Sequence, residues 1–109
     1  MTARPPRYQR YSLVDLGVWE GIRRRLPLPL EEDEAITDLR ALARVAVAQG
    51  MPLGALPYGR RALAKRWGWT GEAGEGRVRR LVGPSLAELA QKHGPRARPR
   101  WWDPQLDKL

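Results

Sequence analysis

Arg61-Ala62-Leu63-Ala64-Lys65-Arg66-Trp67-Gly68-Trp69-Thr70, followed after a glycine-rich hexapeptide by Arg77-Val78-Arg79-Arg80-Leu81, is the stretch that decides the fold. Its first part reads as a short helix over 60–67 with Ala62, Leu63 and Trp67 turned inward. Gly68-Trp69-Thr70 reads as a tight turn, with Thr70 placed to cap a second helix. In that second helix Val78 and Leu81 pack inward and Arg77, Arg79 and Arg80 stay in water. Ala64 supplies the small residue that two crossing helices need. These are the parts of a helix-turn-helix. The plainer alternative is an ordinary amphipathic helix pair with a solvated arginine face.

Upstream, Glu31 to Gln49 is the most regular helical segment. Glu31, Glu32, Asp33 and Glu34 crowd its first turn, where negative charge complements the helix dipole. Consecutive acids do not converge along a helix, so they read as dipole partners and not as a cation site. Ile36, Leu39, Ala43 and Ala46 form an apolar face widened by Leu42 and Val47, Arg40 and Arg44 share another face, and Gly50 is placed to end the helix. An earlier helix fits Ser12 to Arg25, with Leu13, Leu16, Trp19 and Ile22 at near-helical spacing. Two prolines in Leu26-Pro27-Leu28-Pro29-Leu30 end it. Residues 53–59 read as a loop with room for a short strand.

Downstream, Gly83-Pro84-Ser85 stops the arginine helix, and Ser85 can cap another over 86–92 that packs through Leu86, Leu89 and Ala90. His93 follows near its end with no partner for metal or acid–base work. From Pro95 the chain is punctuated by proline, with Arg96, Arg98 and Arg100 leading to Trp101-Trp102. Such a basic segment suits a phosphate-tracking or minor-groove arm. Three fates fit the tryptophans: stacking on bases, docking on the protein's own core, or anchoring a partner.

The chain has 109 residues, a net charge of +8 and no cysteine. That length fits one domain, and the missing cysteines exclude disulfides, thiolate zinc sites and cysteine nucleophiles. No apolar run approaches the roughly 20 residues of a membrane span, and no secretory leader is expected. Charge is unevenly spread. Residues 31–50 carry two basic and five acidic side chains, whereas 51–84 carry seven basic and two acidic. The positive charge therefore coincides with the helix-turn-helix pattern, which points to a polyanionic partner. No phosphate-cradling glycine loop and no nucleophile motif is present.

Leu63 to Thr70 together with Gly76-Arg77-Val78-Arg79-Arg80-Leu81 resembles the winged helix-turn-helix module of phage and plasmid replication-associated DNA-binding proteins. Leu28 to Leu39 and Gly50-Met51-Pro52-Leu53 resemble the helix that precedes that module. The likeness spans about residues 26–90. It implies a wing hairpin after the second helix, but Gly83-Pro84-Ser85 leads instead into a helical pattern. It also implies a second helix that starts directly after Thr70. Gly71-Glu72-Ala73-Gly74 looks like an insertion there, giving either a long turn or a late, short recognition helix.

The reading is a mainly α, winged-helix or helix-turn-helix domain over 12–94. Basic flexible arms flank it: 1–11, and a Trp-containing tail over 95–109. Its expected role is binding double-stranded DNA in replication initiation or transcription control of a phage, plasmid or mobile element. Arg60, Arg61 and Lys65 are expected on the backbone, Arg77, Arg79 and Arg80 at the groove, and Arg96, Arg98 and Arg100 along the tail. Arg77 and Arg80, three apart, share a face suited to base edges, and Arg79 diverges toward phosphate. No catalytic residue, cofactor or metal is expected, and the location is expected to be cytoplasmic. A replication or transcription protein and a second copy of the chain also fit as partners. The rival reading is a small phage-type interaction module that binds a host polymerase or replisome subunit, which exposed Trp101 and Trp102 would favour.

Overall fold

The computed structural model describes residues 16–108. Its helices are α1 (Leu16–Arg25), α2 (Glu32–Ala48), α3 (Arg60–Trp67), α4 (Gly71–Val82) and α5 (Leu86–His93), followed by a 3₁₀ helix over Pro104–Lys108. The expected start of α1 at Ser12, the contribution of Leu13 and the arm over 1–11 lie outside the described residues. No strand occurs among the described residues, neither in the 53–59 loop nor where a wing hairpin would follow α4. The fold is mainly helical, and α5 stands in the wing's place. Its start is a capping box: Glu88 N–H donates to Ser85 Oγ at 3.2 Å, and Ser85 N–H to Glu88 Oε1 at 3.3 Å.

α2 is the central element. Glu31 occupies its N-cap, where the Glu31 N–H donates to Glu34 Oε1 at 2.8 Å. At its other end Gly50 N–H bonds Val47 O and Met51 N–H bonds Ala46 O, the paired bonds of a Schellman motif. Leu39, Leu42, Ala43 and Ala46 are buried as the periodicity predicts, while Ile36 and Val47 are half-buried. The main core joins Leu39, Leu42 and Ala43 of α2 to Leu63, Ala64 and Trp67 of α3, Val78 and Leu81 of α4, and Leu30, Trp69, Trp101, Trp102 and Leu106 from outside the α-helices. A smaller cluster seats Trp19 of α1 on Ala41 of α2. α3 turns Leu63, Ala64 and Trp67 inward, so Ala62, expected inside, lies exposed.

The α3–α4 turn is set by its contacts. Gly68 is left-handed (φ 73°), Gly68 N–H donates to Lys65 O and Trp69 N–H to Ala64 O, again a Schellman pair. A Cβ on Gly68 would lie 2.9 Å from Leu28 Cβ and 3.0 Å from Pro29 Cα, because the 28–30 segment crosses the turn there. Leu30 N–H bonds Trp67 O, and Trp69 Nε1–H bonds Leu30 O, both at 2.8 Å.

Gly71-Glu72-Ala73-Gly74 is neither a long turn nor a delay. α4 begins at Gly71, directly after Thr70, and runs for 12 residues. Thr70 holds the N-cap position, although its side chain makes no cap hydrogen bond. Packing explains why helix prevails over the poor propensity of its glycines. Gly74 is buried with Val78 and Leu81, and a Cβ there would stand 2.2 Å from Trp69 O. This helix therefore needs a bare Cα where it passes the Trp69 backbone. Gly76, half-buried, has ordinary clearance, its nearest neighbour being Arg80 Nη1 at 3.5 Å.

Two glycine substitutions separate packing from propensity. Gly74→Ala should lower the denaturation midpoint sharply, because backbone must move to admit the methyl. Gly76→Ala should raise stability by up to about 1 kcal/mol through propensity alone. Urea unfolding of both checks this, and a Gly74→Ala protein as stable as the parent would mean that α4 does not pass Trp69 as described.

Candidate nucleic-acid interface

The outward face of α3–α4 is positioned from beneath by one carboxylate. Asp38 of α2 is fully buried and each of its oxygens accepts two hydrogen bonds. Oδ1 takes Trp19 Nε1–H at 3.1 Å and Arg66 Nη2–H at 2.9 Å, and Oδ2 takes Arg66 Nε–H at 2.6 Å and Trp67 Nε1–H at 2.7 Å. That fills the acceptor capacity of a carboxylate. Arg66 also donates to Glu20 of α1 at 2.7 Å. Burial alone would lower the Arg66 pKa, but the hydrogen bonds and charges of Asp38 and Glu20 outweigh it and hold the guanidinium above its ordinary value. Arg66 is thus a fastener that ties α3 to Asp38 of α2 and Glu20 of α1. Neither Asp38 nor Arg66 is among the site residues expected from sequence.

The basic residues left outside sit around Trp69. On α3, Arg60, Arg61 and Lys65 are exposed. Arg61 and Lys65, one turn apart, border a concavity with Trp69 and Thr70, and Arg61 Nε lies 3.8 Å from Glu75 in a pair too exposed to hold either side chain strongly. On α4, Arg77, Arg79 and Arg80 are exposed while Val78 and Leu81 anchor the helix. Arg77 Cζ stands 3.8 Å from the centre of the Trp69 ring, a cation–π contact that fixes the guanidinium. Arg77 and Arg80 line a second concavity of about 320 Å³ with Trp69, Leu81, Glu32 and Arg100. Trp69 lines both concavities, so the arginines of α3 and α4 flank the same turn.

The C-terminal segment is not a free arm. Trp101, Trp102 and Leu106 are buried in the main core, which selects docking on the core among the three fates open to the tryptophans. Trp101 Nε1–H bonds Val82 O at the end of α4, at 2.9 Å, and Arg40 Nε–H of α2 bonds Trp101 O at 2.8 Å. The three arginines expected along the tail therefore diverge in role. Arg96 is exposed. Arg98 pairs with Asp107 at 2.9 Å and donates to Pro95 O and Ala97 O, so it fastens the segment to itself. Arg100 is carried to α4 and pairs with Glu32.

Glu31, Asp33 and Glu34 bring carboxylate oxygens within 4.8 Å of one another at the start of α2, where the Glu31 and Glu34 backbone N–H groups already engage Glu34 and Asp33. His93 is exposed at the last position of α5. No helix among the described residues is long and apolar enough to cross a membrane. Comparisons with protein-family models, with curated proteins and with solved structures return no match.

The Arg98–Asp107 pair makes stability depend on pH. The Arg98 hydrogen bond, opposed by burial and aided by Trp102 Nε1–H, holds the Asp107 carboxyl below the ordinary carboxylate range. A depressed folded-state pKa contributes stability above the unfolded value and loses it as pH falls through the folded one. The stability gap between the parent and Asp107→Asn should be widest near neutrality and close below the ordinary carboxylate range. Urea midpoints across a pH series read this directly, and a gap independent of pH would show that the charge pair contributes nothing.

Proposed function

We propose that this protein binds double-stranded DNA without catalysing a reaction, using α3 and α4 as a helix-turn-helix with no wing among the described residues. The observation that carries the reading is the division of labour along α4. Gly74, Val78 and Leu81 are buried against the core, while Arg77, Arg79 and Arg80 are exposed and have no ion-pair partner among the described residues. Folding positive charge without compensation costs self-repulsion, and a polyanion relieves it. Arg60, Arg61 and Lys65 on the neighbouring helix supply backbone contacts, the usual part of the first helix of such a pair. A role in replication initiation or transcription control of a phage, plasmid or other mobile element rests on the sequence resemblance around residues 26–90.

The interaction-module reading drew its support from exposed tryptophans at 101 and 102. Both are buried, at 2% and 6% exposure, so that support is gone.

Of the nine basic residues expected at the interface, six, Arg60, Lys65, Arg77, Arg79, Arg80 and Arg96, are exposed without an ion-pair partner among the described residues. If these engage about six phosphates, duplex affinity should fall roughly a thousandfold between about 50 and 200 mM salt, with a log–log slope near −5. Fluorescence anisotropy with a labelled duplex measures it. Weak, non-saturating association, or a slope near zero, would return the protein to the class of protein-binding modules.

A further inference from the structure

The concavity between α4 and the C-terminal segment carries more than general basicity. Three arginines from two separate elements, Arg77, Arg80 and Arg100, line it around a single acid, Glu32. Its remaining lining is the buried pair Trp69 and Leu81, so it is apolar on one side, where charge–charge forces are screened less than in open water. Arg77 lays one face on the Trp69 ring. A stacked guanidinium still offers its N–H groups at the edge, and neither Arg77 nor Arg80 donates a hydrogen bond to any described residue. Arg100 donates to a Glu32 carboxylate oxygen. Three cations and one anion leave two positive charges uncompensated. Arginine forks match tetrahedral oxyanions with several acceptor oxygens, which a single carboxylate does not replace.

We infer that this concavity is the seat of one backbone phosphate of duplex DNA, and that Glu32 keeps the phosphate's place on Arg100 in the free protein. The inference rests on the duplex-binding reading above and deepens it. On binding, a phosphate oxygen replaces the Glu32 carboxylate on Arg100 while Arg77 and Arg80 close on the other oxygens. Arg77 and Arg80 are then phosphate ligands, which reverses the base-reading role their spacing suggests. Arg79, outside the concavity, is left for the groove. Glu32 sets the affinity: it keeps Arg100 in position but competes with the ligand.

The test uses the full chain as parent, Glu32→Gln, Arg100→Gln and Arg80→Gln. Each is titrated with one labelled duplex across a salt series, melted with and without inorganic phosphate, and put through selection on randomised DNA. Glu32 and Arg100 are both more than half exposed, so their variants should fold, and circular dichroism checks this. Arg80→Gln carries the test should Arg100→Gln disturb Trp101. Glu32→Gln should bind duplex up to about fivefold tighter, the range of one exposed ion pair. Arg100→Gln and Arg80→Gln should each weaken all sequences alike and flatten the salt slope, by at most about 0.9 because the two share one phosphate. Inorganic phosphate should raise the melting temperature of the parent and Glu32→Gln more than that of either arginine variant. If the parent binds duplex but Glu32→Gln gains nothing and the arginine variants keep the parent slope, the phosphate seat is overturned and duplex binding stands. Relaxed sequence preference in Arg80→Gln would also overturn it, returning that residue to a base edge. If phosphate stabilises the parent more than the arginine variants but duplex does not bind, the concavity stands as a phosphate site, while its assignment to duplex DNA falls with the proposed function.

Discussion

Asp38 is the constraint on which the other packing depends. An unpaired carboxylate at zero exposure costs several kcal/mol of lost hydration, so it is tolerable only where every lone pair is met. Meeting them needs Trp19 from α1 and Arg66 and Trp67 from α3 at once, which leaves little freedom in how those helices cross α2. Replacing such a group with a fitted apolar cluster often costs nothing in stability. Its value here is orientation: it fixes the roll of α3, so Trp67 faces inward while Arg61 and Lys65 face water. α4 follows three residues later and inherits that orientation through the Gly68 turn.

The tryptophans extend the same logic to the rest of the molecule. A chain of 109 residues buries a modest core, and aromatic rings supply much area per residue. Each of the five indole N–H groups also finds an acceptor: Asp38 for Trp19 and Trp67, Leu30 O for Trp69, Val82 O for Trp101 and Asp107 for Trp102. Trp69 and Trp101 grip main chain, one at the crossing before α2 and one at the last residue of α4. Both ends of the arginine-bearing helix are therefore set by indoles. The C-terminal segment belongs to the body because Trp101, Trp102 and Leu106 are needed in its core.

Much of this was legible in the sequence, and the failures share a cause. The apolar spacing of α2, the Gly68 turn, the Ser85 cap and the inward Val78 and Leu81 are local patterns. What was not legible depends on packing contacts that no local pattern marks, several of them distant along the chain. Gly71-Glu72-Ala73-Gly74 reads as a helix breaker by propensity, yet the close approach of Trp69 O makes Gly74 a requirement of the helix. Nothing local marks Arg66 as a fastener, because its partners, Glu20 and Asp38, lie 46 and 28 residues away. A signal for Asp38 existed: it stands one turn before Leu42, on a face that also carries Ala41. An acid in apolar register, in a chain with several indole donors, marks a buried polar hub. The arginines of 96–100 gave no such signal, since nothing local separates Arg98, bound to Asp107, from Arg100, carried to Glu32.

That separation bears on function. A count of basic residues overstates what a partner can meet, because the fold itself uses Arg40, Arg66 and Arg98 as donors to α2, the C-terminal segment or the core. The fold leaves Arg77, Arg79 and Arg80 without acids on a helix whose opposite face, Gly74, Val78 and Leu81, is buried. Arg100 comes closest to being shared, since its partner Glu32 already serves the start of α2, where a negative charge complements the helix dipole. Glu32 loses little by releasing Arg100, because the dipole still stabilises it. A phosphate gains Arg100 together with two arginines that have no acid of their own. On the proposed seat, the Arg100–Glu32 pair is therefore a contact that a phosphate would displace at little cost.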